Sequence, residues 1–232
     1  MKSKANLSLI VGAMLLTGLA AVGFVENYVM QRNARDTVSE QARVMMEAAQ
    51  AIRHYTVKEI RPLLAEQMQS EFLPQTVPAY AATTTFGSLR EEYRDFTYRE
   101  PALNPTNLRN KATDWEAEII QYFRNNPDVT ELSDRRETPT GPALYLAKPI
   151  KIGDAGCLTC HSTVADAPRP LLKKYGMEHG FGWQLNEVVA AQVVSVPMTV
   201  PVQKAQAAFY LLIAAVGSIF VGIGVVINSL IK

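Results

Sequence analysis

The chain has 232 residues with 23 basic and 22 acidic side chains, 48% hydrophobic residues, two cysteines and three histidines. A formal net charge of +1 without a basic cluster excludes an electrostatic nucleic-acid binder, so no nucleic-acid partner is expected. No nucleophile triad, phosphate loop or paired carboxylate constellation stands out, and an enzyme is not expected.

Lys2 and Lys4 precede an uncharged run from Ala5 to Val25. At about 1.5 Å per residue, such a run crosses a hydrocarbon core of about 30 Å. The small residues Gly18 to Ala21 also offer a cut of the kind that follows a secretory signal, but the run is read as a retained anchor. A second uncharged run, Ala205 to Ile231, reads as a second transmembrane helix, with Gly217, Gly222 and Gly224 available for a close helix contact. Lys2, Lys4 and Lys232 flank these runs, leaving 20 basic and all 22 acidic residues between them. Positive-inside bias then places both termini in the cytoplasm of a bacterial inner-membrane protein and the intervening region in the periplasm. The expected organisation is an anchor at 1–26, one periplasmic domain at 27–204 and a membrane helix at 205–232.

Within that domain, Phe24 to Arg61 contains neither glycine nor proline, which predicts that the first helix continues outside the membrane. Val38, Ala42, Met45, Ala49, Ile52 and Thr56 alternate at four and three residues, so one face is buried, on its own domain or on a second copy in a homodimer. Leu63 to Phe72 is expected to continue as helix, and Gln75 to Thr106, with Pro78, Gly87, Pro101 and Pro105, to be rich in loops and aromatic residues that could wall a flat cofactor. Lys111 to Asn125 shows helical spacing. Ala143 to Ile150 and Val188 to Met198 read as strands, with Thr130 to Glu137 pairing the first. Pro170 to Tyr175 reads as a short helix before a glycine-flanked loop, Gly176 to Gly182.

Cys157, Leu158, Thr159, Cys160 and His161 read as C-x-x-C-H and use both cysteines of the chain. Two thiols three apart reach the two vinyl groups on one porphyrin edge, and the next imidazole falls under the iron, which predicts one covalent haem c. A structural zinc site would want two more soft ligands, a thioredoxin-like pair a βαβ setting, and a lone disulfide no histidine.

Four segments together carry a family resemblance: Ala51 to Leu64, Asn104 to Asn110 leading to Trp115 and Glu116, Cys157 to Ser162, and Gly180 to Trp183 before a strand ending in Val196 and Pro197. Over Arg35 to Pro201 the chain resembles the bacterial periplasmic c-haem domains of PAS-like fold, catalogued as a domain of unknown function. The resemblance implies an α+β fold in which helices flank a PAS-like antiparallel sheet holding a single covalent haem. Many such relatives resemble sensors with an output module behind the second membrane helix. This sequence runs only one residue past that helix, so no output module is expected.

His161 is the expected proximal ligand, and Cys157 and Cys160 the thioether anchors. Both cysteines being used, the sixth position falls to Met45 or Met46, to His54 or His179, to Met177 or Met198, or stays open. Met45 and Met46 lead because Met45 lies on the buried stripe of the long helix and Met46, seven residues before Arg53, shares the Arg53 face. Arg53 and Arg109, with Arg99, are candidates to balance the propionates. The expected function is a membrane-anchored monohaem cytochrome c that transfers electrons beside a membrane-protein complex. A haem-based redox or gas sensor acting through its helices on a separate partner is the alternative.

Overall fold

The structure is a computed structural model and describes residues 2–231. Lys232, one of the three lysines behind the expected orientation, lies outside the described residues. The chain forms helix α1 (Lys2–Tyr55), a π-helical turn (Thr56–Ile60), α2 (Arg61–Leu63), α3 (Pro78–Glu92), β1 (Thr97–Arg99), α4 (Asp114–Asn125), β2 (Leu132–Thr138), β3 (Gly141–Lys151), α5 (Ala155–His161), α6 (Arg169–Tyr175), β4 (Val188–Pro197) and α7 (Thr199–Ile231). It divides into two compact units, one running through Val38 and from Met198 onward, the other Ser39–Pro197.

In the first unit, α1 and α7 each contain a stretch long and apolar enough to cross a membrane. The close contact between them falls on glycines of α1. A Cβ at Gly18 would lie 3.5 Å from Phe220, and one at Gly23 would lie 3.1 Å from Ile213. Gly217, Gly222 and Gly224, available for such a contact, have nothing within 4 Å of that position.

The second unit is α+β, built on one antiparallel sheet in the order β1-β4-β3-β2. All but the ends of β4 are buried, because both faces of this central strand are covered. Ala191 and Val193, with Ala147 on β3, meet Ile119, Ile120 and Phe123 of α4. The helix starts at a capping box in which Glu116 accepts from the Thr113 amide at 2.9 Å and the Thr113 hydroxyl at 2.8 Å. Buried Glu116 also pairs with Arg99 Nε at 3.2 Å.

The alternate residues face α1. Gln50 Nε2 donates to Gln192 at 2.7 Å, and Lys148 reaches Glu47 at 2.9 Å. Gln192 in turn donates to the Tyr98 hydroxyl at 2.8 Å, Tyr98 donates to Glu100 at 2.7 Å, and Glu100 closes on Arg53. Every polar group of this chain is therefore satisfied inside an otherwise apolar layer. Burial, with the Glu100 charge, pushes the Tyr98 hydroxyl far up, so it remains a donor.

Strands and helices follow the expected pattern over β2, β3, β4, α4 and α6, but two readings are corrected. Leu63 to Phe72 does not continue as α-helix: α2 ends at Leu63, and a single 3₁₀ turn, Gln67–Gln69, follows. Gln75 to Thr106 is not mainly loop, since α3 occupies Pro78–Glu92 and β1 occupies Thr97–Arg99. Pro78 stands at the first helical position, where the missing N–H costs nothing, and Gly87 is an interior glycine with open space around it.

Glu100 has a side chain only 2% exposed. Arg53→Ala leaves its carboxylate buried without a cation, at an expected cost of about 3–5 kcal/mol. Glu100→Gln in the Arg53→Ala background recovers part of the loss, because the buried charge is removed while Tyr98 keeps an acceptor. Denaturant unfolding of the detergent-solubilised chain, followed by tryptophan fluorescence, measures both; an Arg53→Ala midpoint equal to wild type contradicts the assigned role.

Candidate functional site

The register of β3 on β4 slips between Ile150 and Lys151, a bulge that turns the chain out of the sheet next to the cysteine motif. Ile152 is held by Glu187 at 2.9 Å and by Asn186 at 2.8 Å, and Asp154 then caps α5 by accepting from the Gly156 amide at 2.7 Å. Seven residues of helix set Cys157 and Cys160 about one turn apart on the same side. Both thiols are free, Cys157 exposed and Cys160 half-buried. Burial pushes the Cys160 thiol up, opposed by the positive charge of Arg61. Leu158, between the cysteines, packs on the cluster of Ala102, Ile152, Val189 and Ala190.

His161 ends α5 and is held on three sides. Its Nδ1 lies 2.7 Å from the Gly180 carbonyl and 3.5 Å from the Thr106 hydroxyl. A carbonyl only accepts, so Nδ1 carries the hydrogen and Nε2 keeps its lone pair. The ring stacks on Trp183 with centroids 3.9 Å apart and planes inclined by 14°. Burial pulls the imidazole below its ordinary pKa, partly countered by the Gly180 hydrogen bond, so the neutral, ligating form is favoured.

The loop that does this is itself fastened. Gly182 donates to the Ser162 carbonyl at 2.7 Å and Trp183 to the His161 carbonyl at 3.1 Å. Asn104 bridges the same loop, accepting from the Gly180 amide at 3.2 Å and donating to the Phe181 carbonyl at 3.2 Å. Gly180 has φ +84°, and a Cβ there would lie 2.0 Å from the Thr106 hydroxyl. No other residue type fits.

A second group of side chains gathers around Arg109. Its guanidinium lies 4.9 Å from the centre of the Tyr80 ring and donates to Thr83 at 3.1 Å. Tyr175, pushed up by burial and drawn down by Arg109 and by a hydrogen bond with Asn107, stands beside it and packs edge-on against Phe72 at 5.5 Å. Aromatic and cationic groups from α3, the 107–110 turn and α6 thus adjoin the loop that carries Thr106.

The sequence model of the family described as Tll0287-like matches residues 31–197. The chain belongs to the Tll0287-like family. The match spans the sheet, the C-x-x-C-H motif and the Gly180 loop, in line with the resemblance read over Arg35 to Pro201. A solved structure, the crystal structure of the cyanobacterial haem protein Tll0287, is similar to 68% of this chain and 93% of its own, at 15% identity and a TM-score of 0.51. At that identity the likeness is one of fold. No curated protein matches the chain.

On this Tll0287-like domain the candidate residues separate clearly. Cys157, Cys160 and His161 share α5, and Arg109 stands in the group beside Thr106. Arg53 is engaged by Glu100, and Arg99 by Glu116 and the Lys111 carbonyl. Met45 and Met46 are 8% and 1% exposed, on the α1 face that carries Gln50 and Arg53 to the sheet. Met46 precedes Arg61 by fifteen residues, roughly 20 Å of helix. His54 is exposed, seven residues before Arg61. His179 adjoins Gly180 on the Nδ1 side of His161, Met177 is 63% exposed and Met198 is buried.

No role for Gly180, Trp183, Thr106, Asn104 or Arg61 is legible in the sequence, although each lies in a segment that carries the resemblance. The three glycines at 176, 180 and 182 were the available signal, and all three have positive φ. Gly180→Ala is expected to cost at least about 1–3 kcal/mol from φ alone, with the Thr106 collision added. It should also release the Nδ1 contact, read as a shift of the His161 ring resonances by NMR. An alanine variant with wild-type stability and unmoved resonances contradicts this account.

Proposed function

We propose that the Ser39–Pro197 unit is a c-type haem domain carried by two membrane spans, and that it transfers electrons on the periplasmic side of a bacterial inner membrane as a monohaem cytochrome. The observation that carries this reading is a histidine whose Nδ1 is committed to the Gly180 carbonyl, leaving Nε2 as a donor one residue after a C-x-x-C pair of free thiols. The donor set fits the group: the thiols would add to its two vinyls, neutral His161 would ligate the iron, and Arg61 and Arg109 would supply charge for the propionates. Iron held in this way exchanges one electron between two oxidation states.

Exposure of Cys157 and of Ala155, Gly156 and Thr159 around it supports electron exchange with a partner, because the thioether edge would face solvent. That partner is a membrane-protein complex. Two apolar helices and the three flanking lysines support the membrane placement. Of the distal candidates, His54 is the one on the approach to Arg61, and it is assigned the sixth position. Burial of Met45 and Met46 in the core, and the place of His179 next to Gly180 in the chain, support that choice. The second reading, a sensor, draws support from α1, which carries both an apolar stretch and the residues paired with the sheet.

Denaturing gels of the full chain should show peroxidase-active haem that Cys157→Ala with Cys160→Ala abolishes. Haem extractable from the wild type by acid acetone would sink the covalent assignment.

The reduced wild-type protein should be six-coordinate and slow to bind carbon monoxide, and His54→Ala should make it bind quickly. Rapid stoichiometric binding by the wild type moves the reading to gas sensing, and a His54→Ala spectrum like wild type removes His54 as ligand.

A further inference from the structure

Trp183 is tied to His161 twice. Its backbone amide donates to the His161 carbonyl at 3.1 Å, and its indole stacks on the imidazole at 3.9 Å with 14° between planes. The indole also packs against the cluster of Ala102, Ile152, Val189 and Ala190, which belongs to the sheet side of the domain. β4 contributes Val189 and Ala190, and the adjoining Ala191 amide donates to the Pro101 carbonyl at 3.0 Å. A rigid element therefore presents a flat surface to the imidazole. The Gly180 carbonyl alone fixes where Nδ1 sits but leaves the ring free to turn about that hydrogen bond. A stacked plane removes this remaining rotation.

We propose that Trp183 is a positioning residue that sets the plane of the His161 imidazole, and through it the ligand field and potential of the iron; this rests on the haem reading above. The lone pair of Nε2 lies in the ring plane and the ring's π orbital stands perpendicular to it. Ring orientation therefore decides which iron dπ orbital the imidazole meets, as outer partners of metal-bound histidines generally do. No other aromatic ring in the described residues stacks on His161.

Two full-chain variants separate this from plain packing. Trp183→Phe keeps an aromatic plane, whereas Trp183→Met keeps flexible apolar bulk against Ala102, Ile152, Val189 and Ala190 without one. Both are compared with wild type by haem stain, by electron paramagnetic resonance of the ferric state and by redox titration. Trp183→Phe is expected to keep one sharp ferric species near the wild-type potential. Trp183→Met should retain covalent haem but show broadened or multiple species and a displaced potential. Failure of Trp183→Met to take up haem while Trp183→Phe does so also supports the plane. If both variants match wild type, or both depart from it equally, the proposal is overturned. Absence of covalent haem from the wild type instead overturns the reading on which it rests.

Discussion

The hydrogen bond from His161 Nδ1 to the Gly180 carbonyl organises the site around it. It settles the tautomer, and the tautomer settles which nitrogen can ligate. Its geometry depends on a residue that must be glycine, since Gly180 combines φ +84° with a Thr106 hydroxyl 2.0 Å from where a Cβ would stand. Asn104 then satisfies both the Gly180 amide and the Phe181 carbonyl, and the next two amides are spent on the carbonyls that α5 leaves unpaired at its end. One loop therefore caps the helix and fixes the side chain on its last residue.

That loop can be rigid only because the sheet beneath it is. β4 lies between β1 and β3, with α4 on one face and α1 on the other. The α4 face is apolar. The α1 face instead carries Gln50, Gln192, Tyr98, Glu100 and Arg53 in an unbroken chain. A buried pair is weak evidence for stability, since desolvation offsets most of the attraction, but its geometry is specific. The polar chain thus ties α1 to the sheet at Gln50 and Arg53.

Spacing carried much of the architecture. Alternation in Ala143 to Ile150 and the longer apolar run Val188 to Met198 mark β3 and β4 because one or both faces of each strand are buried, and the four-three stripe from Val38 to Thr56 marks the inner face of α1. The helix α3 was missed because Pro78 and Gly87 read as breakers, when one is a start signal and the other an unpacked interior position. At the site, C-x-x-C-H was legible because its chemistry is contiguous, as was the glycine cluster as a loop. The partners of His161 were not, because Thr106 and Trp183 lie 55 residues before it and 22 after it and meet it only through the fold. The stripe marks Met45 as buried and the structure buries Met46 beside it, but burial identifies a core position and says nothing about what the core surrounds.

The two walls of the site differ in kind, and the difference bears on what the domain can do. On the α5 side the imidazole is bonded, stacked and backed by the sheet, an arrangement that resists movement and suits a carrier, whose iron should change charge without rearranging its ligands. The chain leading to Arg61 instead leaves regular α-helix. α1 passes into a π-helical turn at Thr56–Ile60, with buried Thr56 donating back to the Ile52 carbonyl at 2.8 Å, and then into Pro62. π turns lodge an extra residue at the cost of regular hydrogen bonding and recur at functional sites. If the domain signals, movement belongs in this turn, where a change at the iron could alter how one extra residue is accommodated. If it only carries electrons, the turn serves to aim Arg61 at the half-buried edge of α5, and the rigid wall governs the chemistry.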